Sequence, residues 1–299
     1  MSRRSSRRPS FSFINKQLTS ENLSCPLRKR RGIEDCTLLG SCHGLILFNV
    51  NKHIYLWIPA TRFCTKVLEL YHYRWDKLVT RGGLCFDSSK NDYKAVMFTY
   101  DGGPSEWDQL VAIASLKGKK WRQLKFAYDI ISVRDGITLH GRLHYRFHML
   151  HIPEPDQEEK ENIVAGLGVL NQCLCMTRLK HDGGLEILVM KEYGIKESWT
   201  SLLFIKKLEI YHYEFGFVAP FSVTENGKFA LIIDQIERRV VIYNPKNNNM
   251  QDIVVADVDR STITYMESLI SPKGYYWCEK RPKKYFGRRK QCYFWNNGF

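Results

Sequence analysis

IYLWIPATRFCTKVLEL, residues 54–70, is the stretch that decides the fold. A short apolar run rich in aromatic and β-branched residues leads into Pro59, and a second run that favours a strand follows. Short apolar runs separated by turn residues are typical of β-strands rather than helices. Because the proline ring fixes φ and suits a turn, the stretch predicts an antiparallel hairpin.

The same strand, turn, strand unit recurs along the chain. It reappears as AIASLKGKKWRQLKF (112–126), LVMKEYGIKESWTSLLFI (188–205) and VVIYNPKNNNMQDIVV (240–255). Gly118 and Gly194 stand where these turns call for a positive φ. Further apolar runs of strand length are GLILFNV (44–50), KAVMFTY (94–100), LEILVMK (185–191) and FALIID (229–234). No window of a dozen residues keeps an apolar stripe at helical spacing, so we expect a mostly β chain.

An internal repeat indicates how the hairpins are arranged. LELYHYRW (68–75) and LEIYHYEF (208–215) match closely, and each follows a hairpin unit. Hairpins that recur about every 50–70 residues favour an all-β, β-propeller-like fold with about five or six antiparallel blades, some of them incomplete. Radial stacking would cover the apolar faces of neighbouring sheets. A two-sheet sandwich is the competing all-β arrangement.

Charge and composition exclude several classes of protein. The net charge of +14 comes from residues 1–31 and 273–299, and the rest of the chain has 28 basic and 29 acidic side chains. Since DNA or RNA recognition needs a basic folded face, we expect no specific nucleic-acid partner. The basic ends read as solvated tails or as nuclear-import signals. Nine cysteines at irregular spacing indicate reduced thiols in an intracellular protein, and no apolar run is long enough to span a membrane.

Ten motifs in order resemble a known family. They are GSCHGLILF (40–48), IYLWIPATR (54–62), GGLCFDSSKNDYKAV (82–96), SLKGKKWRQL (115–124), GITLHGRLHY (136–145), GLGVLNQCLCM (166–176), LEILVMKEYGIKESWTSL (185–202), ENGKFALII (225–233), VVIYNPKNN (240–248) and YMESLISP (265–272). Together they resemble the F-box-associated interaction domain of plant F-box proteins. The resemblance implies a kelch-like β-propeller that selects substrates for an SCF-type ubiquitin ligase.

The resemblance also implies domain boundaries. Residues 1–35 are expected to be a basic tail with a remnant of the F-box C-terminal end, in which PSFSFINKQL (9–18) resembles the last turn of the F-box. Residues 36–272 would form the propeller domain, and residues 273–299 a basic, aromatic C-terminal tail. With the F-box largely missing, binding of the SCF adaptor and cullin is expected only if enough of it remains.

Residues that could carry chemistry have structural explanations. His140, His144, His148 and His151 would spread along a strand rather than converge on one metal ion. Cys173 and Cys175 lie among apolar residues, which disfavours the thiolate. Cys42 and His43 are adjacent, so on a strand their side chains would point to opposite faces. Nucleophile-elbow, zincin and P-loop motifs are absent, and we therefore expect no enzyme, metal or cofactor.

Recognition of another protein remains, and two aromatic segments are candidate contacts. They would cross from one blade to the next and emerge on a propeller rim, and they contain Tyr71, His72, Tyr73 and Trp75 in the first segment and Tyr211, His212, Tyr213 and Phe215 in the second. Tyrosine and tryptophan are enriched at protein interfaces. The same rings could instead fill the space between blades. The expected function is substrate recognition for a ubiquitin ligase, in the nucleus, the cytoplasm or both, and the alternative is a stand-alone protein- or glycan-binding propeller.

Overall fold

The computed structural model describes residues 10–15, 20–24, 27, 36–50, 53–70, 79–100, 109–124, 137–144, 163–180, 183–206, 217–224, 226–234, 238–253, 262–266 and 291–297. These ranges contain 22 β-strands and two three-residue 3-10 helices, Pro59–Thr61 and Lys196–Ser198. The prediction of an all-β, propeller-like fold is confirmed. Neither helix in this part of the chain has the length and hydropathy needed to cross a membrane.

The strands form five four-stranded antiparallel sheets and one two-stranded sheet. Sheet 1 contains β3 (Cys36–Cys42), β4 (Leu45–Val50), β5 (His53–Ile58) and β6 (Phe63–Glu69). Sheet 2 contains β7 (Val79–Asp87), β8 (Asp92–Tyr100), β9 (Gln109–Ser115) and β10 (Lys120–Leu124), and sheet 3 contains β11 (Ile137–Leu139) and β12 (Arg142–His144). Sheet 4 contains β13 (Ile163–Leu170), β14 (Cys173–Leu179), β15 (Leu185–Met190) and β16 (Trp199–Ile205). Sheet 5 contains β17 (Phe217–Val223), β18 (Phe229–Asp234), β19 (Arg238–Asn244) and β20 (Asn249–Ile253). Sheet 6 contains β1 (Ser10–Asn15), β2 (Ser20–Ser24), β21 (Thr262–Met266) and β22 (Gln291–Asn297).

Sheets 1, 2, 4 and 5 are simple meanders, in which each strand pairs with the next along the chain. Four antiparallel strands in this order are the blade unit of a propeller. All four predicted hairpin units are present, as the pairs β5–β6, β9–β10, β15–β16 and β19–β20. Local sequence therefore specified these hairpins correctly.

Sheet 6 joins the two ends of the chain. Its order is β2-β1-β22-β21, and β1 pairs with β22 from Ser10↔Asn297 to Asn15↔Cys292. The sequence predicts a basic tail with a remnant of the F-box over residues 1–35 and a basic, aromatic tail over residues 273–299, and three strands of sheet 6 lie within these ranges. The difference arises because β1 pairs with β22 at the other end of the chain, and a local sequence pattern does not predict so distant a partner.

The chain divides into two compact units. Unit 1 is Met1–Ile130, His140–Leu143 and Ala256–Phe299, and unit 2 is Ile131–Leu139 and His144–Val255. In unit 1, sheets 1 and 2 share one apolar core, and the Trp121 indole N–H donates a hydrogen bond to the Glu69 carbonyl at 2.9 Å. In unit 2, sheets 4 and 5 share a second core. Each core is thus built between the faces of two sheets.

Glycines allow close contact between neighbouring sheets in both units. A Cβ built on Gly168 of β13 would lie 2.0 Å from the Pro220 carbonyl oxygen of β17, and one on Gly166 would lie 2.3 Å from the Val218 carbonyl oxygen. In unit 1, a Cβ on Gly40 of β3 would lie 2.9 Å from the Gly83 Cα. Only a residue without a side chain fits at these positions.

One predicted turn conformation is corrected. Gly194 has the expected positive φ, at +87°, but in the β9–β10 turn the left-handed residue is Lys119, at +52°, and not Gly118. The Lys119 N–H donates to the Ser115 carbonyl at 2.9 Å, and the Gly118 N–H donates to Ser115 Oγ at 2.8 Å. These hydrogen bonds place the left-handed position one residue later than the glycine.

Candidate functional site

The predicted partner contacts lie outside the described residues. This applies to Tyr71, His72, Tyr73, Trp75, Tyr211, His212, Tyr213 and Phe215. They remain predictions.

Cys42 and His43 do not form a nucleophile and base. Cys42 is the last residue of β3 and is buried. Burial is the main cause that raises the pKa of its thiol to about 12, and the nearby Cys85 thiol adds to the effect. His43 occupies the following turn, where its Nδ1 lies 3.2 Å from the Tyr93 hydroxyl and its ring meets Phe86 edge-on at 5.2 Å between centroids. Partial burial against these rings lowers the pKa of His43. The imidazole is thus paired with a phenol, and the Cys42 thiol stays protonated at neutral pH.

Cys175 is part of the packing of unit 2. Cys175 is buried in the core between sheets 4 and 5, and burial raises its pKa to about 12. Its Sγ lies 3.6 Å from the Cys173 carbonyl oxygen, to which the thiol donates a weak hydrogen bond. A thiol with so high a pKa is a poor nucleophile and a poor metal ligand at neutral pH.

The histidines do not assemble a metal centre in the described part of the chain. His144 is buried, and its Nε2 lies 2.7 Å from the Tyr193 hydroxyl. His140 is exposed in the β11–β12 turn, with φ at +52°, and His148 and His151 lie outside the described residues. The described ranges contain no group of three or more His, Cys, Asp or Glu side chains that could hold a metal ion.

The carboxylates of sheet 2 organise turns. Asp87 Oδ1 accepts hydrogen bonds from the Ser89 hydroxyl at 2.6 Å and from the Ser89 and Lys90 backbone N–H groups at 3.1 and 3.3 Å. Lys94 donates to the other carboxylate oxygen. The hydrogen bonds from Lys94 and Ser89 hold the pKa of Asp87 well below its usual range. Asp92 likewise accepts from the Ser115 hydroxyl and from the Lys117 N–H.

Sequence reasoning missed an exposed apolar surface on unit 2. Among the described residues, the large apolar side chains that face solvent are Ile195 (47% exposed), Leu202 (44%) and Phe204 (41%). All three belong to the loop and outer strand of the β15–β16 hairpin. We call Leu202 and Phe204, with the strand that carries them, the β16 edge. Its signal in the sequence is the absence of charged residues in WTSLLFI (199–205). The last strand of sheet 2, KWRQL (120–124), contains two cations.

A protein-family comparison connects these sheets to a known domain. The model of the F-box associated beta propeller domain matches residues 2–154, about half of the chain. The chain belongs to this family. The match includes sheets 1 and 2 and the stretch with β1 and β2, so the family's own pattern extends into the residues predicted as a basic tail.

Curated relatives carry F-box names. An F-box/kelch-repeat protein of Arabidopsis thaliana is 25% identical over 264 residues, covering 79% of this chain and 69% of the relative. A second Arabidopsis thaliana F-box protein is 27% identical, with coverages of 76% and 68%, and the F-box protein CPR1 of the same plant is 23% identical, with coverages of 75% and 65%. The family member described here thus spans about two thirds of the length of these relatives.

One solved structure shows only low similarity. An acylaminoacyl peptidase of Pyrococcus horikoshii aligns with a TM-score of 0.38 and 11% identity, covering 79% of this chain and 46% of that chain. A similarity at this level says nothing about activity.

Proposed function

We propose that this chain is the substrate-recognition module of an SCF-type ubiquitin ligase and binds a target protein for ubiquitination. The observation that carries the proposal is membership of the F-box associated beta propeller family, whose model matches residues 2–154. The F-box relatives support the same class of function. The proposed partners are a substrate protein and, through an F-box, the SCF adaptor and cullin, in the nucleus, the cytoplasm or both.

We propose a binding role without catalysis, metal or cofactor. The described side chains best suited to nucleophilic or acid-base chemistry are engaged in structural contacts. Cys42 and Cys175 have pKa values raised to about 12, and His43 and His144 are paired with Tyr93 and Tyr193. Such groups stabilise the fold and are poorly placed to transfer protons to a substrate.

The two aromatic segments stay our candidates for the substrate contact. Replacing Tyr71 and Trp75, or Tyr211 and Phe215, by alanine should abolish capture of the substrate while leaving the melting temperature unchanged. The opposite result, a lower melting temperature with capture retained per folded molecule, would assign the rings to packing.

Affinity purification of the tagged chain from plant cells tests the function itself. We expect the adaptor, the cullin and a protein whose ubiquitination depends on this chain. Recovery of a bound protein or glycan without adaptor and cullin would instead favour a stand-alone binding propeller. A chain that binds neither would contradict the proposed function.

A further inference from the structure

The last strands of the four meander sheets, β6, β10, β16 and β20, each lie at one edge of their sheet and differ in how they protect it. Charged or amide side chains face solvent on three of them: Lys66 on β6, Lys120, Arg122 and Gln123 on β10, and Gln251 and Asp252 on β20. Such residues keep an open edge from pairing with another strand. On β16 the exposed positions are Ser201, Leu202 and Phe204, and the strand contains no charge.

On one side, the backbone of β16 pairs with no strand in the described part of the chain. The strand is outermost in the order β13-β14-β15-β16, and no described strand pairs with its other side. A bulge in the β15–β16 ladder pairs Ile187 with Leu203 and Leu188 with Ser201, which leaves Leu202 opposite no residue of β15. A bulge usually protects an edge by re-aiming a side chain, but here the side chain it presents is a leucine.

Phe204 is held in a defined position beside this leucine. The Lys180 ammonium lies 5.8 Å from the centroid of the Phe204 ring and 3.9 Å from Glu186 Oε2, and Phe204 pairs with Glu186 across the strands. An aromatic ring restrained by a cation–π contact loses less entropy when a partner covers it.

The charged residues that flank β16 have opposite signs at the two ends of the strand, so two antiparallel copies would attract each other. Glu197 precedes the strand and Lys206 follows it, and both are exposed, whereas Lys196 is only half-exposed. When two copies of such a strand lie antiparallel, the acid of each comes near the cation of the other. A parallel arrangement would bring like charges together.

We propose that the β16 edge binds a second copy of this chain. The two β16 strands lie antiparallel about a two-fold axis near Leu202, Leu202 and Phe204 of both copies pack together, and Glu197 of each copy faces Lys206 of the other. One strand and a few side chains bury less than the roughly 1,200 Å² of a stable interface, so the dimer is a concentration-dependent equilibrium.

Sedimentation velocity of the full chain across a concentration series tests the proposal. We expect the wild type to shift from monomer to dimer, and Leu202→Lys to weaken the dimer at least ~10-fold, because a buried lysine would lack a partner. The matched control is Gln123→Lys on the exposed edge of β10, which should leave the equilibrium unchanged. A wild type that stays monomeric, or a dimer that Leu202→Lys leaves intact, would overturn the proposal.

A charge exchange provides a second test that spares the apolar contacts. Glu197→Lys and Lys206→Glu should each weaken the dimer, and the double variant should restore it, since both contacts reform with reversed sign. Circular dichroism and thermal melting of each variant report whether it is folded. If the folded double variant dimerises no better than the single variants, the antiparallel arrangement is wrong.

Discussion

Gly168 shows how one missing side chain sets the distance between two sheets. Its Cβ position is 2.0 Å from the Pro220 carbonyl oxygen, which belongs to a strand and cannot rotate away. We expect Gly168→Ala to lower the free energy of unfolding by about 1–3 kcal/mol through overpacking, measured by urea denaturation. Gly118→Ala is the control, because its nearest neighbour is the Ser115 hydroxyl at 3.2 Å in an exposed turn. Equal stability of the two variants would contradict this account.

Thr177 links two sheets of unit 2 through one hydroxyl. The side chain is buried on β14, and its single O–H proton is shared between the Gly166 carbonyl of β13, at 3.2 Å from Oγ1, and the Val218 carbonyl of β17. Thr177→Val should cost about 1–2 kcal/mol, because a buried carbonyl would lose its donor. Thr200→Val should cost less or be neutral, since the buried Thr200 Oγ1 has no hydrogen-bond partner among the described residues. Chemical denaturation of both variants at low protein concentration checks the difference, and equal losses would argue against the bridging role.

His43 makes the stability of unit 1 depend on pH. Partial burial lowers its folded pKa below the reference value of 6.5, so the unfolded chain binds the proton more readily. Stability should therefore fall as the pH drops through 6.5 towards the folded pKa. His43→Asn, which tolerates the left-handed φ of +50°, should reduce this loss between pH 7.5 and 5.5, as measured by urea denaturation. His140→Asn, at a similar φ of +52° in an exposed turn, is the control for replacing a histidine in the left-handed region by asparagine.

At the scale of elements, β22 is an interior strand of sheet 6. It lies between β1 and β21 and pairs with both along its length. Deleting residues 291–299 should remove both ladders, so amide hydrogen exchange should accelerate in β1 and β21 while β14 and β15 keep their protection. If exchange in β1 and β21 stays slow without residues 291–299, the pairing of the chain ends is wrong.

The edges of the sheets form a second contrast between elements. Three described outer strands, β6, β10 and β20, carry charged or amide side chains towards solvent, and β16 carries Leu202 and Phe204 instead. Stable sheets usually protect exposed edges, so the lack of charge on β16, alone among these four last strands, calls for a partner. The dimer proposed for β16 supplies this partner without any change inside sheet 4.

At the scale of the whole molecule, each unit is held by a core between two sheets, and sheet 6 brings strands from both chain ends into unit 1. Removing part of either end should therefore disturb unit 1 before unit 2. For the proposed role in substrate recognition, the sheets would provide rigid support.

The sequence by itself determined many of the strands of sheets 1, 2, 4 and 5, the four hairpin units and the family. Runs such as GLILFNV (44–50) and FALIID (229–234) became β4 and β18 because strand preference and turn chemistry act over a few neighbouring residues. Only the tertiary structure decided that β1 pairs with β22, that Gly168 meets Pro220, and that Leu202 remains exposed. Each of these depends on which distant backbone arrives at a strand, and a local pattern of apolar residues contains no information about a partner that lies far along the chain.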